Sequence, residues 1–89
     1  MILENEQIVE VLRDTGWVLK GRSITKNYKF GNFNEAMDFV NNVAGLAEEK
    51  NHHPNIEISY DRVKLTLSNH EEGGVSDKDI SMAIAIDEE

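Results

Sequence analysis

The three histidines of this chain are His52, His53 and His70, and the first two lie in the stretch EEKNHHP, directly before the only proline, Pro54. Imidazole titrates near 6.5, so it can both give and take protons at cellular pH. Gathered at one cleft, such rings could eliminate water, which needs an acid for the departing hydroxyl and a base for the proton lost elsewhere. A His₃ zinc site with an open position is the other chemistry the set could support. Against a metal stand the lack of a helical i, i+4 His pair and the adjacency of His52 and His53, because neighbouring residues rarely ligate one ion. No metal is therefore expected. No Ser or Thr stands in an elbow or triad context, so no nucleophile is expected either.

The histidines are far apart in the chain, so the fold must bring them together. IEISY (56–60) and VKLTLS (63–68) alternate strictly, and a two-residue Asp61–Arg62 loop between them pairs Tyr60 with Val63, Ile58 with Leu65 and Ile56 with Leu67. All six then share one face. The same register, continued outward, sets His53 opposite His70. His52 falls at a helix end, where a change from helical to extended geometry can turn adjacent side chains toward one pocket.

The remaining elements follow from periodicity. Residues 4–14 place Ile8, Val11 and Leu12 on one helical face, and Gly16 stops that helix. WVLKG and SITKNYKF form a hairpin around Gly21–Ser23. Asn32 and Glu35 have capping-box spacing ahead of a long helix that Pro54 closes by disfavouring helical geometry at His53. Ser76 and Asp79 have the same spacing at the start of SDKDISMAIAIDEE. The expected fold is α+β, a four-stranded antiparallel sheet with helices packed on one face, in the order α-β-β-α-β-β-α. The last helix is apolar on more than one side through Ile80, Met82, Ala83, Ile84, Ala85 and Ile86. That surplus is read as a subunit contact, with a well-buried intramolecular helix as the alternative.

Bulk properties narrow the function. Eighty-nine residues make a single domain, 1–89, that buries only about 60–65% of its extended-chain surface, so further burial in an oligomer is expected. There is no cysteine, which excludes thiolate chemistry and fits a reducing, cytoplasmic setting. MILENEQIVEVL lacks the basic and apolar regions of a signal peptide, and no apolar run approaches the length of a membrane span. A net charge of −8, with basic residues scattered along the chain, disfavours nucleic-acid binding. The DEE at 87–89 reads as a solvated helix end.

The stretch EKNHHPNIEISYDRVKLTLSNHEEGGVSDKD resembles the signature of the pterin-4a-carbinolamine dehydratases, here through Glu48, His52, His53, Pro54, Tyr60, His70 and Asp79. The likeness extends upstream through Gly16–Trp17 and residues 30–36 and covers residues 10–87. It implies dehydration of 4a-hydroxytetrahydropterin to quinonoid dihydropterin, the step that recycles the pterin of aromatic amino acid hydroxylases. By that resemblance His52, His53 and His70 line the pocket and carry the catalysis. His52 and His70 are the better candidates for proton transfer, while His53 holds or polarises the substrate. Glu48, Pro54, Ser68, Asn69, Asp79 and Trp17 are the expected substrate-binding surroundings. Asp79 has two compatible roles, capping its helix and orienting a histidine. Glu48 is either a solvated helix residue or an imidazole partner, and Trp17 is core or pocket wall. The pterin is substrate and no cofactor is implied; a homodimer or homotetramer is expected. Ile56 replaces the bulkier aromatic of some relatives, so the pocket rim differs. Some animal members also bind a homeodomain transcription factor, and nothing in this sequence points to that role. The competing reading is a non-catalytic protein-binding or dimerisation module on the same fold.

Overall fold

The computed structural model describes residues 2–69 and 71–88. Its elements run α1 (Asn5–Val11), β1 (Val18–Lys20), β2 (Ser23–Lys29), α2 (Phe33–Lys50), β3 (Asn55–Ser59), β4 (Arg62–Leu67) and α3 (Asp77–Asp87), the order expected. The strands form one antiparallel sheet in the order β1-β2-β4-β3, so β2 and β4 are central. Ile24, Val63, Leu65 and Leu67 project from one face of the sheet and are buried against Ile8, Ala36, Val40, Val43, Met82, Ala83 and Ile86 of the three helices. Among the described residues, no helix covers the opposite face.

Each helix start is written locally. In α1 the Glu4 side chain accepts from the third helical N–H while Gln7 Oε1 accepts from Glu4 N at 2.9 Å, a capping box that expectation had not placed. Only Ile8 and Leu12 are buried from this segment; Val11, expected beside them, is half exposed, because so short a helix lays a narrow stripe on the core. In α2 Asn32 Oδ1 accepts from Glu35 N at 2.8 Å, and Glu35 Oε1 accepts from Gly31 N at 3.0 Å. Such a cap contributes about 1 kcal/mol.

The end of α2 departs from expectation. Pro54 does not stop this helix. Asn51 does, by adopting left-handed geometry (φ 51°, ψ 43°), which lets His52 N–H bond Ala47 O at 3.1 Å. That 6→1 bond is a Schellman closure, and Asn is the non-glycine residue that tolerates it best. Pro54 then keeps His53 out of the helical region and opens edge strand β3.

The second hairpin also differs. Ile58 pairs with Val63 and Ile56 with Leu65, so the loop is Tyr60–Asp61 and the register lies two residues from the one expected. A two-residue slip preserves which face each side chain takes, and the apolar alternation therefore could not distinguish the two. The discriminating contacts are long-range. Asp61 O accepts from Phe30 N at 2.8 Å and Asp61 Oδ2 accepts from Lys29 Nζ at 3.0 Å, fixing Asp61 in the turn beside the end of β2. Tyr60 consequently sits at φ 54°, exposed.

Most of the apolar surplus of α3 is absorbed within the chain: Ile80, Met82, Ala83 and Ile86 are all buried, and Ile84 alone of its isoleucines stays outside. The intramolecular alternative accounts for those four side chains, and Ile84 is left on the outer side of the helix.

Candidate active site

Where α2 ends, β4 ends and α3 begins, the three segments enclose a cleft of about 780 Å³. His52 and His53 line it from the α2 end, Ser68 and Asn69 from beyond β4, and Lys78 and Ser81 from the first turns of α3. His70, the third expected imidazole, lies outside the described residues.

Asp79 is the key to this arrangement. It is 0% exposed, an unusual state for a carboxylate. Its Oδ2 accepts from Ser76 N at 2.9 Å, and Ser76 Oγ approaches the same atom at 3.4 Å, closing the capping box of α3. Its Oδ1 faces His52 Nε2 at 2.5 Å. One oxygen of Asp79 thus serves the α3 cap and the other meets the His52 ring. An ionised carboxylate only accepts, so opposite one Nε2 carries the shared proton, and in the neutral imidazole Nδ1 is then the unprotonated nitrogen. Two fixed points, the α2 closure and the α3 cap, thus determine where this ring lies.

His53 is held differently. Its Nε2 pairs with Glu48, five residues earlier and still within α2, which resolves Glu48 as an imidazole partner. The pair is open to solvent, with side-chain exposures of 55% for His53 and 77% for Glu48, against 16% for His52. A solvent-exposed pair restrains its side chains weakly, so Glu48 orients His53 more loosely than the buried Asp79 orients His52. The two rings share a cleft, yet each is tied to its own carboxylate.

The other expected site residues divide. With the observed register, position 53 extrapolates opposite Ser68, not opposite 70, and Ser68 does line the cleft beside His53. Asn69 lines it too, but its polar atoms are committed: the side chain bonds Glu72 twice at 3.1 Å, and its backbone bonds Gly73 and Gly74. It ties down the turn at 71–73. Pro54 shapes the backbone after His53 and is not part of the cleft wall. Trp17 lies elsewhere. It is buried in the core, and its Nε1 donates to Asp87 Oδ2 at 3.1 Å at the far end of α3. A lone aromatic after a helix-stopping glycine carries no spacing signal that separates core from pocket, and here the core claimed it.

Sequence reasoning missed Asn51, Lys78 and Ser81, which also line the cleft. For Asn51 the signal existed, since Asn just past a periodic helix marks a left-handed stop. Lys78 and Ser81 flank Asp79 in the sequence, and only the docking of α3 shows that they face the same space.

The geometry sets two imidazoles, each paired with a carboxylate, at one open polar cleft. The sequence matches the family described as pterin 4 alpha carbinolamine dehydratase over residues 1–89, and the chain belongs to that family. A Thermomicrobium roseum protein bearing the provisional name pterin-4-alpha-carbinolamine dehydratase is 48% identical over 82 residues, 91% of this chain and 88% of its own. A similarly named protein of Chloroflexus aurantiacus is 42% identical over 87 residues, 97% of this chain and 94% of its own. Among solved structures, a transcriptional coactivator/pterin dehydratase from Brucella melitensis superposes with a TM-score of 0.91 at 37% identity, covering 99% of this chain and 97% of that one. A pterin dehydratase-like protein described as a RuBisCO assembly factor of the alpha-carboxysome gives a TM-score of 0.71 at 25% identity, over 82% of this chain and 87% of that one.

Proposed function

We propose that this chain dehydrates a 4a-hydroxytetrahydropterin to the quinonoid dihydropterin by histidine acid–base catalysis, in the cytoplasm and as a homodimer or homotetramer. Family membership supports the reaction. The observation that carries the catalytic reading is the buried Asp79 beside His52. Carbinolamine becomes imine when hydroxide leaves C4a with a proton and the N5 proton is lost. A ring with one nitrogen fixed on a carboxylate and the other unprotonated is suited to take a proton, and Asp79 supplies the counter-charge for the imidazolium that forms. His53 borders the same cleft as the polarising group, and His70, by family resemblance, is the second proton-transfer residue.

Two structural neighbours carry non-enzymatic roles in their descriptions, which is the ground for the competing reading of a binding module. A scaffold has no physical need of a buried carboxylate aligned on a cleft imidazole, so the enzyme is preferred. Stopped-flow observation of freshly generated carbinolamine tests it. Catalytic amounts of the protein should speed its disappearance well above the spontaneous rate, and an unchanged rate would reject the proposal.

A further inference from the structure

Basic residues that are scattered along the sequence are gathered by the fold. Of the lysines and arginines in strands, the register puts Lys20, Lys29, Arg62 and Lys64 on the face of the sheet that carries no helix. Lys26 alone points to the helical side, where its Nζ donates to Asp87 Oδ1 at 3.1 Å. Glu57, opposite Lys64, is the one acidic residue within a strand. In a chain with seventeen acidic and nine basic residues, this segregation is pronounced. Lys29 and Arg62 are direct cross-strand partners, a like-charge pairing that weakens a sheet. Asp61 at the turn offsets it only in part, through its bond to Lys29 Nζ.

Between these cations the face carries short side chains. The row Val18–Thr25–Thr66–Asn55 crosses all four strands, with Val18 53% exposed. Strands lie about 4.8 Å apart, and same-face residues in one strand about 6.8 Å apart. Lys29, Arg62 and Lys64 therefore fall within about 10 Å of one another, with Lys20 about two rows away.

From this juxtaposition we infer that the open face of the sheet is a docking surface for an acidic protein segment. Charge complementarity picks that occupant: a cationic frame on an otherwise anionic molecule steers and orients an approaching carboxylate-rich chain. Nucleic acid is the poorer fit. The strands set no aromatic side chain on this face for bases to stack on, and the whole-chain charge of −8 opposes a long phosphate backbone. The surface is distinct from the histidine cleft, so the inference does not depend on the proposed reaction.

The test is fluorescence anisotropy of a labelled Glu/Asp-rich decapeptide titrated with the full chain, alongside a duplex DNA and with light scattering of the chain alone. The wild type should bind the peptide more tightly than the DNA, and the affinity should fall as salt rises. The triple variant Lys29→Gln/Arg62→Gln/Lys64→Gln should weaken it by about tenfold, the sum expected of three exposed ion pairs. Arg13→Gln, on α1, should leave it unchanged, and thermal melts confirm that both variants fold. Absence of peptide binding, loss no greater in the triple variant than in Arg13→Gln, or tighter binding of the duplex would overturn the inference. So would charge-dependent self-association, which would assign the face to a second copy of the chain.

Discussion

Asp79 joins the α3 cap to the His52 ring through a single side chain. Because one oxygen caps α3 and the other holds His52, substitutions separate its roles. Asp79→Asn retains a carbonyl oxygen for the cap but can present its amide to His52, which favours the opposite tautomer. We expect a fall in kcat of about 10²–10⁴, by analogy with carboxylates that orient catalytic histidines, with the fold retained by circular dichroism. Glu48→Gln should cost less than about tenfold, because the Glu48–His53 pair is exposed. Equal losses in the two variants would show that the burial difference between the pairs has no catalytic meaning. If His52 and Asp79 act as one unit, the double variant should be little slower than the worse single one. The residue types of the site were readable from the spacing HHP and S-x-x-D. Which carboxylate serves which imidazole was not, since that depends on the packing of α3 against the end of α2.

At the scale of elements, two left-handed residues set the frame. Asn51 at φ 51° ends α2 and delivers His52 to the cleft. Asn51→Gly should leave the urea midpoint unchanged or raise it, whereas Asn51→Val should destabilise by about 1–2 kcal/mol, because a branched residue resists this geometry. Tyr60 holds φ 54° with its ring largely in solvent. Tyr60→Gly should therefore stabilise the hairpin by up to about 1 kcal/mol, unless the exposed ring serves a contact outside this chain. The element order and faces were legible because helical and strand periodicities alternate cleanly along the chain. The β3–β4 register was not, because a slip of two leaves the pattern intact and Asp61 is placed by Phe30 and Lys29, some thirty residues away in sequence.

For the whole molecule, the far end of α3 is secured by one polar node. Asp87 accepts from Trp17 Nε1, Lys26 Nζ and Tyr28 OH, joining the last helix to the first hairpin. Burial first, and the Asp87 carboxylate second, push the Tyr28 hydroxyl well above its ordinary pKa. Below about pH 10 folded and unfolded chains both keep that proton and the contribution is whole. As pH rises further the unfolded chain releases it first, so stability falls toward the folded pKa. Urea midpoints measured from pH 9 to 11.5 should drop less steeply in Tyr28→Phe than in the wild type; parallel slopes would remove Tyr28 from the account. Sequence alone gave the net charge but not its division between a basic sheet face and acidic helices, which only strand register creates. The central claim, that His52 backed by Asp79 moves the proton in carbinolamine dehydration, is tested most directly by single-turnover stopped-flow comparison of wild type and His52→Ala. The account predicts a loss of about 10²–10⁴ in the chemical step in a variant that still folds. Turnover within twofold of the wild type would contradict it.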